Sequence, residues 1–245
     1  MQVAGRAYVD PTPIPPNPLE GGEPRAARQA DGKTLVLWLD AASGTITTDV
    51  CIARLNADGT SDNGFGEGGF VRLRGLAAPG DLAAEVLVRE DGGFLGIFNR
   101  PRNETDFAAW IAWFRPDGRP DLTRGIGGIS DPVNIGLNFV ESAALLPDGR
   151  IVLAGCPDAT EISGAPPGVS RMARLNADGS LDTSFGEGGC GIVALMAFGT
   201  HLRPAQVVVA ADGTIFVTGR PPRGKEGHAR SGEAVAVMKI RADGS

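Results

Sequence analysis

The sequence contains one long motif twice. Residues Ala53–Gly69 read ARLNADGTSDNGFGEGG and Ala173–Gly189 read ARLNADGSLDTSFGEGG. Weaker copies lie between and beyond them, so the chain is constrained to a repeat architecture before any other property is considered. Two Asp-Gly series mark the units. One precedes a short apolar run: Asp31-Gly32 before TLVLWL, Asp91-Gly92 before FLGIF, Asp148-Gly149 before IVLAG and Asp212-Gly213 before IFVTG. The other follows an apolar run: Asp58-Gly59 after CIARLN, Asp117-Gly118 after WIAWFR, Asp178-Gly179 after RMARLN and Asp243-Gly244 after VMKIR. The series alternate, which gives four units of about sixty residues each.

Asp-Gly between apolar runs is a strong hairpin signal. Glycine takes positive φ cheaply, and aspartate bonds its own backbone at the turn. Each unit therefore reads as two linked hairpins of strands a–b and c–d. Strand c alternates, with Ala234, Ala236, Met238 and Ile240 on one face in the last unit. Strand d follows the Gly-x-Gly-Gly run, as FVRLR and GIVALM, where the glycines suit a turn or bulge.

The last unit, ending in Asp243-Gly244-Ser245, lacks a strand d, while Gln2–Val9 offers a spare alternating strand. The expected architecture is all-β: a four-bladed β-propeller of four-stranded antiparallel blades. The N-terminal strand closes the ring by pairing with Ala234–Arg241 and removing an open edge. Pro11–Pro24 then connects that strand to the first full repeat in an extended, proline-rich run. One domain covers residues 1–245, with repeats at roughly 24–76, 77–137, 138–198 and 199–245 plus 2–9. The alternatives are a cut-out of a longer propeller and a two-sheet sandwich.

The motif pair, DG before a strand and RLNADGSLDTSFGEGG after one, resembles the delta-60 repeat family of bacterial propellers. The match is specific in Ala53–Gly69 and Ala173–Gly189, and good in Asp148–Gly155 and Asp212–Gly219. It is weakest in Phe114–Gly128, where Arg124 replaces Phe65 and Phe185 while Asp121, Gly125, Gly127 and Gly128 are kept. The resemblance implies a propeller, often in surface or secreted bacterial proteins, and no defined activity.

Composition narrows the function classes. The net charge of −6 disfavours broad contact with nucleic acid or anionic lipid. No apolar run approaches a membrane span, and QVAGRAYVDPTP after Met1 lacks the apolar core of a signal peptide. Cys51, Cys156 and Cys190 are odd in number and widely spaced, and read as inert strand residues rather than a disulfide framework or zinc site.

Three motifs bear on chemistry. Asn56-x-Asp58-Gly59-x-x-Asp62 and Asn176-x-Asp178-Gly179-x-x-Asp182 look like part of a calcium loop, but Arg54 and Arg174 stand where a first acidic ligand belongs. They read as structural turns, and no metal or cofactor is expected. The GFGEGG loop leads into strand-like residues with no lysine beside it, against a phosphate cradle. Two histidines and no nucleophile motif leave no catalytic residue to name.

The irregular connections carry the remaining signal. In this strand order the Asp-Gly turns share one face. The b–c and d–a loops share the other, which in repeat arrays is the usual binding face. That face holds His201, Arg203, Glu141 and Glu104, and the basic stretch Arg220, Arg223, Lys225, His228 and Arg230. The expected function is a binding or interaction scaffold, its ligand near the central channel being an acidic glycan or a protein. Such a self-closed ring is expected to be a monomer. The rivals are a polysaccharide or glycan hydrolase or lyase, with acids drawn from Asp81, Glu104, Asp106 and Glu141, and a purely structural module of a larger surface protein.

Overall fold

The computed structural model describes residues 23–41, 48–102, 107–130, 137, 139–156, 170–186, 191–197, 200–220 and 235–245. These form antiparallel strands joined by turns, and no helix occurs among them. The N-terminal strand expected at Gln2–Val9 lies outside the described residues.

Four antiparallel meanders follow one another. The first is β1 (Arg25–Arg28), β2 (Thr34–Ala41), β3 (Thr48–Leu55) and β4 (Phe70–Ala77). The second is β5 (Leu82–Val88), β6 (Phe94–Pro101) and β7 (Phe107–Phe114). The third is β8 (Phe139–Leu145), β9 (Ile151–Cys156), β10 (Arg171–Leu175) and β11 (Ile192–Ala194). A two-stranded ribbon, β12 (Met196–Ala197) and β13 (Thr200–His201), leads into the fourth: β14 (Arg203–Val209), β15 (Ile215–Arg220) and β16 (Ala236–Ile240). The first strands of successive sheets are neighbours, β1 beside β5, β5 beside β8 and β8 beside β14.

The expectation of four strands per sheet holds in the first and third. In the second, the outer strand is reduced to short pairings of Ile129 and Ser130 with β7. Its motif departs most from the repeat, and its apolar content is concentrated in β7, whose FAAWIAWF run is almost wholly buried. The fourth has three strands among the described residues.

The Asp-Gly turns form as the sequence predicts. In the first, Gly32 N–H donates to Gln29 O at 3.0 Å and Gln29 N–H to Lys33 O at 2.7 Å, while Asp31 Oδ1 accepts from Lys33 N–H at 3.1 Å. The eight Asp-Gly glycines have φ between 79° and 94°, a region in which a Cβ is strained.

Three apolar cores fill the spaces between successive sheets. Leu35, Leu37 and Ile52 meet Phe94, Trp110 and Phe114 between the first and second. Leu95, Ile97 and Ile111 meet Ile151 and Leu153 between the second and third. Val152, Ala154 and Met172 meet Val207, Ile215 and Val217 between the third and fourth. Each strand buries alternate residues on opposite faces, so one sheet serves two cores.

Candidate functional site

The repeat motif itself builds a clasp at the turn end of the sheets. Asp62 is held by Lys33 Nζ at 2.9 Å and Arg54 Nε at 2.7 Å. Asp182 is held by Arg150 Nη1 at 2.9 Å and Arg174 Nε at 2.7 Å. The Arg54 guanidinium lies 4.5 Å from the centre of the Phe65 ring, and Arg174 lies 4.6 Å from that of Phe185. Each cation also reaches into the next repeat, Arg54 Nη1 to Pro116 O at 2.7 Å and Arg174 Nη1 to Ala242 O. The hydrogen bond from Lys33 holds the Asp62 carboxyl down at about 2. Burial pushes Asp182 up, but bonds from Ser184, Arg150 and Arg174 outweigh it and bring the carboxyl well below its ordinary range. The turn aspartates bond their own backbones, as Asp58 Oδ1 does with Thr60 N–H at 2.9 Å. These groups are occupied in joining repeats. Among the described residues, no three His, Cys, Asp or Glu side chains are grouped to hold a metal ion.

Cys51 is a buried free thiol pushed up to about 12, chiefly by its burial, which removes the thiolate needed for nucleophilic chemistry.

At the opposite, loop end, two of the residues expected from sequence come together. Arg203, exposed at the start of β14, places Nη2 at 3.5 Å from Glu141 Oε1 on β8. Arg220, exposed at the end of β15, is the cross-strand partner of Arg203. His201 lies on β13, opposite Met196. Arg223, Lys225, His228, Arg230, Glu104 and Asp106 lie outside the described residues. Asp81 is not available as an acid. It is 3% exposed, takes Arg100 Nε at 3.0 Å and Nη2 at 2.9 Å, and accepts from Ala78 N–H at 2.9 Å.

Glu141 is positioned by a break in the strand pairing. Val140 pairs with Gly155 and Ser142 with Ala154, so Glu141 is an extra residue bulged out of the ladder. β5 and β14 are broken at the same place, at Ala84 and Ala205. In the third and fourth sheets the bulge needs a glycine opposite it. A Cβ on Gly155 would run into the Phe139 carbonyl, and one on Gly219 into that of Arg203.

Just inside the bulges, the first strands carry polar residues at one repeated position, six before the turn aspartate: Arg25, Glu85, Ser142 and Gln206. Arg25, Glu85 and Ser142 link neighbouring sheets. Arg25 Nε donates to Ala83 O at 3.1 Å, and Val207 N–H donates to Ser142 Oγ at 3.1 Å. Glu85 Oε1 accepts from Val86 N–H at 3.3 Å, and its carboxyl faces Ser142 and Ala143 on the neighbouring first strand. Asn99 joins the same line, with Nδ2 on Val140 O at 2.9 Å and Oδ1 taking Val140 N–H at 2.8 Å. Burial raises the Glu85 carboxyl above its ordinary range against these bonds and the nearby charge of Arg25. The sequence reading missed this belt. Superposing the four Asp-Gly turns would have shown it as a polar residue at the same position of all four first strands.

Residues 29–65 and 146–185 match the family model described as "Domain of unknown function (DUF5122) beta-propeller". No match was found among curated proteins. Among solved structures, the chain is similar to a candidate exo-beta-1,3-galactanase from Bifidobacterium bifidum s17, with 14% identity over 90% of this chain and 68% of that one and a TM-score of 0.44. A candidate glycoside hydrolase from Parabacteroides distasonis ATCC 8503 shares 13% identity over 92% and 70%, with a TM-score of 0.45. A glucose dehydrogenase shares 14% over 76% and 62%, with a TM-score of 0.44.

Proposed function

We propose that this chain, two stretches of which match the DUF5122 beta-propeller model, is a binding scaffold that takes an anionic ligand at the loop end of its first strands. In this reading the four sheets are four blades. Residues 2–9 supply the outer strand that the fourth blade lacks, by pairing along β16. The observation that carries the binding reading is the bulged Glu141 beside Arg203, with Arg220 across the strand. Arg203 and Arg220 are exposed, and together they offer planar, bidentate donors to a carboxylate or sulfate. Glu141 would fix the Arg203 fork and give way to the ligand's own anion. An acidic glycan has the required spacing of charge and hydroxyl groups. Its binding would weaken as salt rises, since exposed pairs are screened over about 10 Å at 0.1 M.

The test is calorimetry with acidic oligosaccharides, polyuronate and sulfated, against neutral ones. Arg203→Ala with Arg220→Ala is expected to remove binding and leave the melting temperature unchanged. Equal binding by wild type and the double variant, or no acidic glycan bound, would overturn the reading.

A second reading is glycan hydrolysis at the same end. It is supported by the unlike settings of two carboxyls on neighbouring first strands. Glu85 is raised by burial, as an acid would be, and Glu141 stands beside a cation. Release of reducing ends by wild type, lost in Glu141→Gln, would favour it over simple binding.

A further inference from the structure

The two faces of the fourth sheet are covered differently. On one, Val207, Ile215, Val217 and Ile240 are buried in the core shared with the third sheet. On the other, cross-strand pairing sets out three rows. Arg203 stands opposite Arg220 at the loop end. Gln206, Thr218 and Val237 form the middle row, and Val208, Phe216 and Lys239 the row toward the turns. This face is open. Val237 is 65% exposed and Val208 49%, whereas Ile52, Ile111 and Met172, at the position of Val237 in the other sheets, are buried.

The rows are ordered by chemistry. Two guanidinium groups lie at the loop end, an amide and a hydroxyl in the middle, and an aromatic ring with an ammonium at the turn end. β14, β15 and β16 hold no Asp or Glu, in a chain whose net charge is −6. Glu141 stands at one end, 3.5 Å from Arg203, and Asp212 near Lys239 at the other. In the first and third sheets the position of Lys239 holds Arg54 and Arg174, which are committed to Asp62 and Asp182 and to a carbonyl of the next repeat. Lys239 is exposed. Phe216, opposite Lys239, is four residues from Arg220, so the two charged ends lie roughly 13 Å apart along the strands.

We propose that this face extends the anion site of Arg203 and Arg220 into a platform for a linear polyanionic glycan, with Lys239 as a second anion contact. The inference rests on the binding reading above. Charge complementarity argues for the occupant. An extended chain with an anion on each sugar meets both charged ends at once, which a single compact anion does not. Between the ends, Gln206 and Thr218 offer hydrogen bonds to hydroxyl groups, and Phe216 offers a flat apolar surface to a sugar ring. Joining the two contacts makes the second intramolecular, so affinity grows with chain length until both ends are filled. A strand paired along β16 would widen the sheet in its own plane and leave this face uncovered.

The experiment is calorimetry on the full chain with galacturonate and its linear oligomers of increasing length. Affinity is expected to rise steeply once an oligomer spans both ends. Lys239→Gln should lower the affinity of the long oligomers about tenfold, through loss of one charge-assisted contact, and leave that of the monomer and the melting temperature unchanged. Equal affinity per sugar chain at every length, or an undiminished oligomer affinity in Lys239→Gln, would overturn the platform and leave the Arg203 site standing. So would polyglutamate of matching length bound as tightly as the oligouronate, which would mark the face as one for an acidic protein segment. Binding of no uronate, or binding unchanged in Arg203→Ala with Arg220→Ala, would instead overturn the binding reading, and the platform with it.

Discussion

In the first repeat a strand supplies the cation, Arg54, and the following loop supplies the aromatic, Phe65, on which it lies. In the second repeat the same two positions hold Trp113 on the strand and Arg124 in the loop. The parts are exchanged and the junction survives. Arg124 Nη1 reaches Ala177 O at 2.8 Å, as Arg54 reaches Pro116 O. The turn glycine of the next repeat rests on the aromatic in each case. A Cβ on Gly118 would press on Phe65, one on Gly179 on Trp113, and one on Gly244 on Phe185. The junction requires one flat ring under a turn and one guanidinium on its carbonyl. It does not require either from a fixed position. The exchange also loosens the ion pair. Asp121 stands 3.6 Å from Arg89 and 3.8 Å from Arg124, whereas Asp62 and Asp182 each have a cation at 2.7 Å.

The largest expected difference is in the cost of removing the cation. The Arg174 side chain is 3% exposed and its loss leaves a buried carboxylate short of a partner, so Arg174→Ala should destabilise by about 3 kcal/mol or more. The Arg124 side chain is 30% exposed, and Arg124→Ala should cost on the order of 1 kcal/mol. Urea unfolding of both variants checks the order, and equal losses would mean that burial does not grade the two clasps.

A smaller effect tests the exchange itself. Trp113→Arg and Arg124→Phe should each destabilise alone. The double variant rebuilds the arrangement of the first repeat, and should recover about 1 kcal/mol relative to the sum of the singles. An additive result would show that strand and loop positions are not interchangeable.

The smallest effect is in the acid limb of stability. Asp62 is lowered from 3.8 to about 2, so its contribution is present above the unfolded value and is lost as pH falls from about 4 to 2. Glu85 on the inner belt has the opposite sign. Its folded value is raised above 4.5, so its contribution is present at lower pH and fades as pH rises through the folded value. In melting temperature against pH, Asp62→Asn should flatten the lower part of the limb, and Glu85→Gln should remove a decline above pH 4.5. A Glu85→Gln profile parallel to wild type would show that the belt does not titrate there.

The repeat, the eight Asp-Gly turns and the strand order were legible from the residues alone, because turn chemistry and alternation are local. Positive φ at Gly59 or Gly213 depends only on a few neighbouring residues, and the same is true of the hairpins they close. Arg54 and Arg174 were also legible as cations close in sequence to Asp62 and Asp182, the aspartates they hold. At the loop end, Glu141 and Arg203 were legible as members of one face, although their contact was not.

How separate repeats meet depends on contacts between residues far apart in the chain. Arg54 serves a carbonyl sixty-two residues away, at Pro116. Glu85 finds Ser142 only when two first strands lie side by side, and Asp81 is removed from the list of free acids only when Arg100 closes on it. The difference between buried Met172 and exposed Val237 is invisible in sequence, since both are apolar residues at the same place in the same motif. Local patterning fixes which face of a strand is apolar. Whether that face is covered is a property of the neighbouring sheet, and the neighbour is set by the fold of the whole chain.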